Sequence, residues 1–67
     1  MAKNKKFRKL LKERNVKRKV LAERLGVSVR AVEHWINGRN RPLMQYVIAM
    51  AKLFDMSIES VYDIFKE

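Results

Sequence analysis

The chain has 67 residues, no cysteine and a net charge of +9. So short a chain makes one domain, here residues 1–67, and 48% hydrophobic residues are too many for a disordered tail. The lack of cysteine excludes disulfides and thiolate metal sites, and the single His34 makes no metal site by itself. No apolar run approaches the roughly 20 residues of a membrane span, and no signal-peptide core is present. We therefore expect a cytoplasmic protein without cofactor, metal or membrane segment.

The charge is distributed unevenly along the chain. Residues 1–30 contain twelve Lys and Arg against two Glu, a net charge of +10, whereas residues 31–67 carry a net charge of −1. This polarity predicts a basic face for a polyanion and a nearly neutral remainder for packing or pairing. Charge alone leaves the polyanion open, because a basic amphipathic helix also suits an anionic membrane surface.

Two helices are predicted in the basic half. The first covers about residues 5–14, because three apolar side chains fall at i, i+3 and i+4 among lysines, and Asn15 suits a left-handed helix end. The second covers about residues 18–25 and is followed at once by Gly26, which tolerates a positive φ. The apolar stripe of the first helix consists of Phe7, Leu10 and Leu11.

A third helix is predicted over about residues 29–36. Ser28 precedes it as a strong N-cap, and the pair Asn37-Gly38 ends it. Its apolar residues share one face, which we expect to pack in the core, so that Trp35 is a core residue rather than a stacking platform. The residues of this face are Val32, Trp35 and Ile36.

Two further helices are predicted in the second half. One covers about residues 43–54 and stops at Asp55, where Gly would adopt the conformation more easily. The last covers residue 58 to about residue 65, with Ser57 as its cap. The side chains expected on the buried side of the fourth helix are Met44, Val47, Ala51 and Phe54.

Residues 18–37 meet seven spacing requirements of a helix-turn-helix unit, in which two helices cross closely around a tight turn. Ala22 is the small residue that the crossing needs, Gly26 is the permissive turn residue, and Val32 is the aliphatic residue that faces the first helix. Seven matches in register strongly indicate a helix-turn-helix unit. The remaining inward positions hold Leu21, Leu25, Val27 and Trp35.

Several short motifs between Phe7 and Phe65 extend this pattern. They are Leu21-Ala22, Leu25-Gly26-Val27-Ser28, Trp35, Asn37-Gly38, Pro42, Ile48-Ala49-Met50-Ala51-Lys52 and Ser57-Ile58-Glu59. With these motifs the chain resembles the phage-repressor and Cro-type (XRE-type) family of bacterial and phage regulators. The resemblance implies an all-α, compact five-helix, lambda-repressor-like domain whose third helix lies in the major groove. It also implies a homodimer on a two-fold-symmetric operator and a role in transcription control.

Four positions depart from the pattern of the family. Lys17-Arg18 replace the usual Thr-Gln, whose Gln helps to hold a phosphate, so Arg18 would do so by charge. Leu11 and Ile36 replace both partners of an ion pair that many members have. Exchanging a whole ion pair for apolar residues often leaves the stability of the fold unchanged or raises it. Leu43 replaces the usual Ser cap of the fourth helix, and Asp55 replaces Gly.

Four residues of the third helix are candidates for base contacts. Arg30 suits guanine, because a guanidinium bonds O6 and N7 together, although a phosphate contact or simple solvation is the alternative. Val29 suits a thymine methyl group or packing, and His34 suits a base or a phosphate. Glu33 would accept a hydrogen bond from cytosine N4 or pair with Arg30 at i, i+3, and the pair is the favoured interpretation.

Candidates for phosphate contacts flank this helix, and they are Arg18, Lys19, Ser28, Asn37, Arg39 and Arg41. Lys3, Lys5 and Lys6 fit either a loose arm near the DNA or a contribution to solubility, and the sequence leaves both open. At the C-terminus, three apolar residues fit either a dimer surface or simple packing. They are Ile58, Tyr62 and Phe65.

Taken together, the sequence predicts a sequence-specific regulator that binds double-stranded DNA, most simply as a dimeric repressor. A protein-interaction module, such as an antitoxin or anti-repressor component, and a DNA-bending recombination accessory factor are the alternatives. An enzyme is not expected, because no acid–base pair or nucleophile set stands out. No small-molecule ligand is indicated either.

Overall fold

Five helices account for the regular structure of the chain in the computed structural model, which describes residues 3–66. They are α1 Lys5–Glu13, α2 Arg18–Leu25, α3 Val29–Ile36, α4 Met44–Phe54 and α5 Ile58–Phe65. The described part of the chain contains no strand. The all-α prediction is therefore confirmed, and each predicted boundary lies within one residue of the observed one. The Cα radius of gyration is 10.5 Å, close to the roughly 11 Å expected of a folded domain of this length.

Side-chain caps fix the starts of three helices. The Oγ atom of Ser28 accepts a hydrogen bond from the Ala31 amide at 3.1 Å, and Ser57 Oγ accepts one from the Ser60 amide at 3.0 Å. Both serines were predicted caps, and both are confirmed. Asn4 caps α1 in the same way, with its Oδ1 atom 3.0 Å from the Phe7 amide nitrogen. Such caps satisfy amides that have no acceptor inside the helix.

Residues with positive φ end four of the helices. Asn15 follows α1 with φ 56°, Gly26 follows α2 with φ 72°, Gly38 follows α3 with φ 74°, and Asp55 follows α4 with φ 55°. The four stops predicted from residue type are therefore confirmed. Asp55 is the least suited of them, because its Cβ disfavours this conformation and its negative charge lies at the negative end of the helix dipole.

Replacing Asp55 by glycine is expected to stabilise the fold by about 0.5–1 kcal/mol, since relief of the left-handed strain and of the dipole repulsion exceeds the entropy that glycine adds to the unfolded chain. The midpoint of a thermal melt followed by circular dichroism should rise by roughly 2–8 °C. Asp55→Asn removes the charge and keeps a side chain, so it separates the two contributions. A lower midpoint for Asp55→Gly would contradict the assignment.

The core contains side chains from all five helices. Phe7 of α1 and Phe65 of α5 meet edge to face with ring centroids 4.8 Å apart, and Trp35 of α3 lies 5.9 Å from Tyr46 of α4. Trp35 is therefore a core residue, as predicted. The buried hydrophobic residues are Phe7, Leu10, Leu11, Leu21, Ala22, Val32, Trp35, Ile36, Val47, Met50, Ala51, Phe54, Val61 and Phe65.

Two predictions about the core need correction, and one substitution is explained. Phe65 is only 5% exposed and packs on Phe7, so it is not part of a dimer surface. Met44 is 48% exposed, because it is the first residue of α4 and the buried side of that helix begins one turn later, at Val47. Leu11 and Ile36 are both buried in the same core. They therefore replace the ion pair of the family by apolar packing, as expected.

The crossing of α2 and α3 determines which face of α3 reaches the surface. Ala22 and Val32 are buried, and the Val27 amide donates to the Ala22 carbonyl at 3.0 Å across the turn that Gly26 opens. A larger residue in place of Ala22 would push the helices apart. The two segments are separate helices, as predicted, and none of the five is long and apolar enough to cross a membrane.

Candidate nucleic-acid interface

The outward face of α3 carries the four residues predicted for base contacts. Val29 and Arg30 are exposed, and Glu33 and His34 are half-buried. The opposite face holds Val32 in the core, so this part of the helix is fixed while its outer side chains reach solvent. The structure therefore brings the four residues together on one short helical surface.

Arg30 is the free cation of this surface. Within residues 3–66 its guanidinium makes no ion pair and no side-chain hydrogen bond. All of its donors are available to a ligand, and their fork suits a bidentate acceptor pair such as O6 and N7 of guanine.

Glu33 does not pair with Arg30, so the favoured interpretation of this residue is wrong. Its Oε2 atom lies 3.7 Å from Nη1 of Arg18, the first residue of α2. Both side chains are about half exposed, so the pair contributes little to stability. It does hold the Arg18 guanidinium beside the outer face of α3, and it leaves Arg30 unpaired.

Two helices, α2 and α4, begin without a side-chain cap. Lys17 and Leu43 occupy their N-cap positions, and neither makes a capping hydrogen bond. Basic residues adjoin both starts, with Arg18 and Lys19 in α2 and Arg41 before α4. Free amides at the positive end of a helix, next to cations, form a favourable site for phosphate. In α1, α3 and α5 the side-chain cap already satisfies one amide of the first turn, that of Phe7, Ala31 or Ser60.

The C-terminal end of α3 turns the chain sharply and exposes two arginines. Gly38 has φ 74°, its amide donates to the Trp35 carbonyl at 3.3 Å, and the Arg39 amide donates to the His34 carbonyl at 2.9 Å. This pattern closes a helix on a left-handed residue. Asn37, Arg39 and Arg41 follow as exposed side chains, in a segment that the turn fixes to the end of α3.

The predicted phosphate-binding residues divide into two groups along the chain, the first before α3 and the second after it. In the first group, which is Arg18, Lys19 and Ser28, Arg18 lies beside Glu33 of α3 and the Ser28 hydroxyl oxygen serves as the α3 cap. Asn37 and the two arginines after it form the second group. Ser28 and the second group lie at the two ends of α3, an eight-residue helix about 12 Å long.

A basic cleft beside the second group was not predicted. It has a volume of about 700 Å³, and Trp35, Ile64 and Phe65 form its apolar floor. None of the residues 3–66 that line it is acidic. Five cationic residues surround it, and they are Lys3, Lys5, Lys6, Arg39 and Arg41. We refer to it below as the basic cleft.

Asn4 joins the chain segments that line this cleft. Its backbone amide donates to the Ile36 carbonyl at 2.7 Å, and its Nδ2 atom donates to the Ile64 carbonyl at 3.0 Å. The start of α1 is thereby tied to the ends of α3 and α5. The sequence contained one signal of this arrangement, since Asn4 lies three residues before Phe7 at an N-cap spacing, but its long-range partners are not visible from local pattern.

A second depression lies between α4 and α5, on the part of the chain with little net charge. It has a volume of about 480 Å³ and includes the exposed side chains of Met44, Ile58 and Tyr62. Glu59, Asp63 and Lys66 also line it. Two of the three residues proposed for a dimer surface are therefore together and exposed, and Met44 takes the place of Phe65 beside them.

Comparison with known families agrees with this geometry. A family model described as helix-turn-helix matches residues 7–61, which is most of the chain. No curated protein and no solved structure matches it. The matched segment contains the α2–α3 crossing, the free outward face of α3 and the arginines that follow it. The chain therefore belongs to the XRE-type helix-turn-helix family of DNA-binding transcriptional regulators.

Proposed function

We propose that the chain is a sequence-specific regulator that places α3 in the major groove of double-stranded DNA. The observation that carries this proposal is the exposed guanidinium of Arg30 on the outward face of α3, which makes no ion pair within residues 3–66. Val29 and His34 share that face and would contact neighbouring bases. Base contacts of this kind supply sequence discrimination, whereas contacts to phosphate supply register and much of the affinity.

The two phosphate-binding groups would hold the backbone on either side of the groove. Arg18, Lys19 and the free amides of α2 suit one strand, and Asn37, Arg39 and Arg41 suit the other. Glu33 keeps its partner Arg18 beside α3 in the free protein. On binding, a phosphate would displace the Glu33 carboxylate from the Arg18 guanidinium or share the guanidinium with it. Glu33 therefore acts on the contact to the DNA backbone rather than on a base.

We propose further that the protein binds as a homodimer through the depression between α4 and α5. The chain carries a net charge of +9, so two copies repel each other through most of their surface. Met44, Ile58 and Tyr62 provide apolar area where the neighbouring charges nearly balance. A symmetric pair would present two α3 helices to half-sites about 10 bp apart, and a bound dimer would repress by excluding the polymerase from its operator.

Selection from random duplex DNA, repeated at about 50 and 200 mM salt, tests the proposed function. We expect a two-fold-symmetric sequence with a conserved guanine in each half-site, bound far more tightly than unrelated duplex. Enrichment of bendable sequences without conserved bases would favour the DNA-bending alternative. An absence of any duplex binding would contradict the proposal and favour the protein-interaction module.

Replacing Arg18 by alanine is expected to weaken binding to selected and unrelated duplexes alike, because the side chain would contact only phosphate. The slope of log K against log salt should become shallower by about 0.9, the value for one lost phosphate contact. Arg24→Ala, which removes the same charge at the other end of α2, is the matched control. If the two variants had equal slopes, Arg18 would not belong to the phosphate contact.

A further inference from the structure

The basic cleft contains charge that the proposed contacts of α3 do not use. Arg39 and Arg41 line it and belong to the second predicted phosphate-binding group. Lys3, Lys5 and Lys6 line it as well and come from the start of α1 and the residues just before it, about 35 residues earlier in the chain. The cleft is therefore continuous with the surface next to the C-terminal end of α3.

The cationic residues of the cleft together produce a positive electrostatic potential inside it. Five cationic residues surround a single depression, and the lining that the structure describes contains no acidic residue to offset their charge. Its floor is apolar, formed by Trp35, Ile64 and Phe65. A low-dielectric wall lined by charges of one sign focuses the field and favours an anion there over the bulk solution. The cleft is thus suited to an anionic group.

The lysines of the cleft do not belong to a loose arm. Asn4, between Lys3 and Lys5, makes four hydrogen bonds: it accepts from the amides of Phe7 and Arg8 and donates to the carbonyl groups of Ile36 and Ile64. These bonds hold the backbone of the lysine segment against the ends of α3 and α5. Their partners are rigid helices, so binding an anion here would order only side chains and not backbone.

We propose that the basic cleft binds backbone phosphates of the duplex that adjoin those held by Arg39 and Arg41. The inference rests on the proposed function and extends it, since it makes the start of α1 part of the DNA interface. Lys3, Lys5 and Lys6 contact the phosphates, and Asn4 is a positioning residue that aligns them with the end of α3. Because these contacts touch no base, they add affinity and length to the bound site without adding sequence preference.

The test compares two triple variants of the full chain on the selected operator. Lys3→Gln/Lys5→Gln/Lys6→Gln removes three charges from the cleft, and Arg8→Gln/Lys9→Gln/Lys12→Gln removes three from the same segment outside it. Glutamine keeps a helix propensity close to that of lysine and arginine. We expect the salt slope to become shallower by about 2–3 for the cleft variant and by less than about 1 for the control.

Hydroxyl-radical footprinting supplies a second result that general charge loss does not produce. The cleft variant should lose protection of the sugars at one flank of each half-site, while the central protection and the selected sequence remain. Equal slopes for the two triple variants, or an unchanged footprint, would overturn the proposal. If the unmodified chain bound no duplex at all, the proposed function would be wrong as well. Failure of the cleft proposal alone would leave operator binding by the unmodified chain intact, so the two failures are distinguishable.

Discussion

Replacing Arg30 by alanine is expected to weaken binding to the selected operator by about 10-fold to 100-fold, which is the discrimination of one bidentate contact to guanine. Binding to unrelated duplex should change by less than about threefold, because that binding depends on phosphate contacts made elsewhere. Arg30 is exposed and unpaired in the part of the chain that the structure describes, so its loss leaves no partner unsatisfied. Fluorescence anisotropy with both duplexes measures the two affinities.

Arg30→Lys is the matched control for this prediction. Lysine keeps the charge but lacks the planar fork, so it should retain non-specific binding and lose most of the preference for the guanine. Thermal melts of both variants should match those of the unmodified chain, since residue 30 lies outside the core. Equal losses on selected and unrelated duplex for Arg30→Ala would show that the side chain contacts phosphate only.

The second large effect concerns stability. Phe7→Ala is expected to cost about 3–5 kcal/mol, because a fully buried ring is lost and a cavity remains. Phe7 is 0% exposed and makes the edge-to-face contact that joins α1 to α5. A chain of 67 residues has roughly 3–10 kcal/mol of total stability, so we expect a largely unfolded or strongly destabilised variant and loss of DNA binding.

Circular dichroism and urea unfolding measure this effect. Phe7→Leu keeps most of the buried volume and should cost less, about 1–2 kcal/mol, while it removes the ring contact with Phe65. A shift in the thermal midpoint below about 5 °C for Phe7→Ala would mean that α1 contributes little to the core. That result would also weaken the argument that Asn4 holds the lysines of the basic cleft in place.

The boundaries of the fold were predictable because the signals that determine them are local. Ser28 and Ser57 cap helices through amides three residues ahead, and Gly26 ends one through its own backbone conformation. Each signal lies within a few residues of the boundary that it determines. The α2–α3 crossing was predictable for a related reason, since Ala22 and Val32 must occur at fixed spacings in one short segment.

The features that the sequence did not predict depend on contacts between distant segments. Glu33 has cationic residues within reach both along α3 and across the turn, and local spacing favours Arg30, whereas the packing of α2 on α3 brings Arg18 closer. Phe65 continues the apolar face of a C-terminal helix, and only the position of Phe7 makes it a core residue. The basic cleft likewise combines residues from the start of α1 with residues after α3 and from α5, and Asn4 bonds to the ends of both helices.

Methylation interference on the selected operator tests most directly whether α3 lies in the major groove. Methylation of guanine N7, on the floor of the major groove, should block binding at one position in each of two half-sites about 10 bp apart. Arg30→Ala should abolish that interference and leave interference from ethylated phosphates unchanged. Interference by methyl groups in the minor groove alone, or N7 interference that persists in Arg30→Ala, would contradict the placement of α3 and of Arg30.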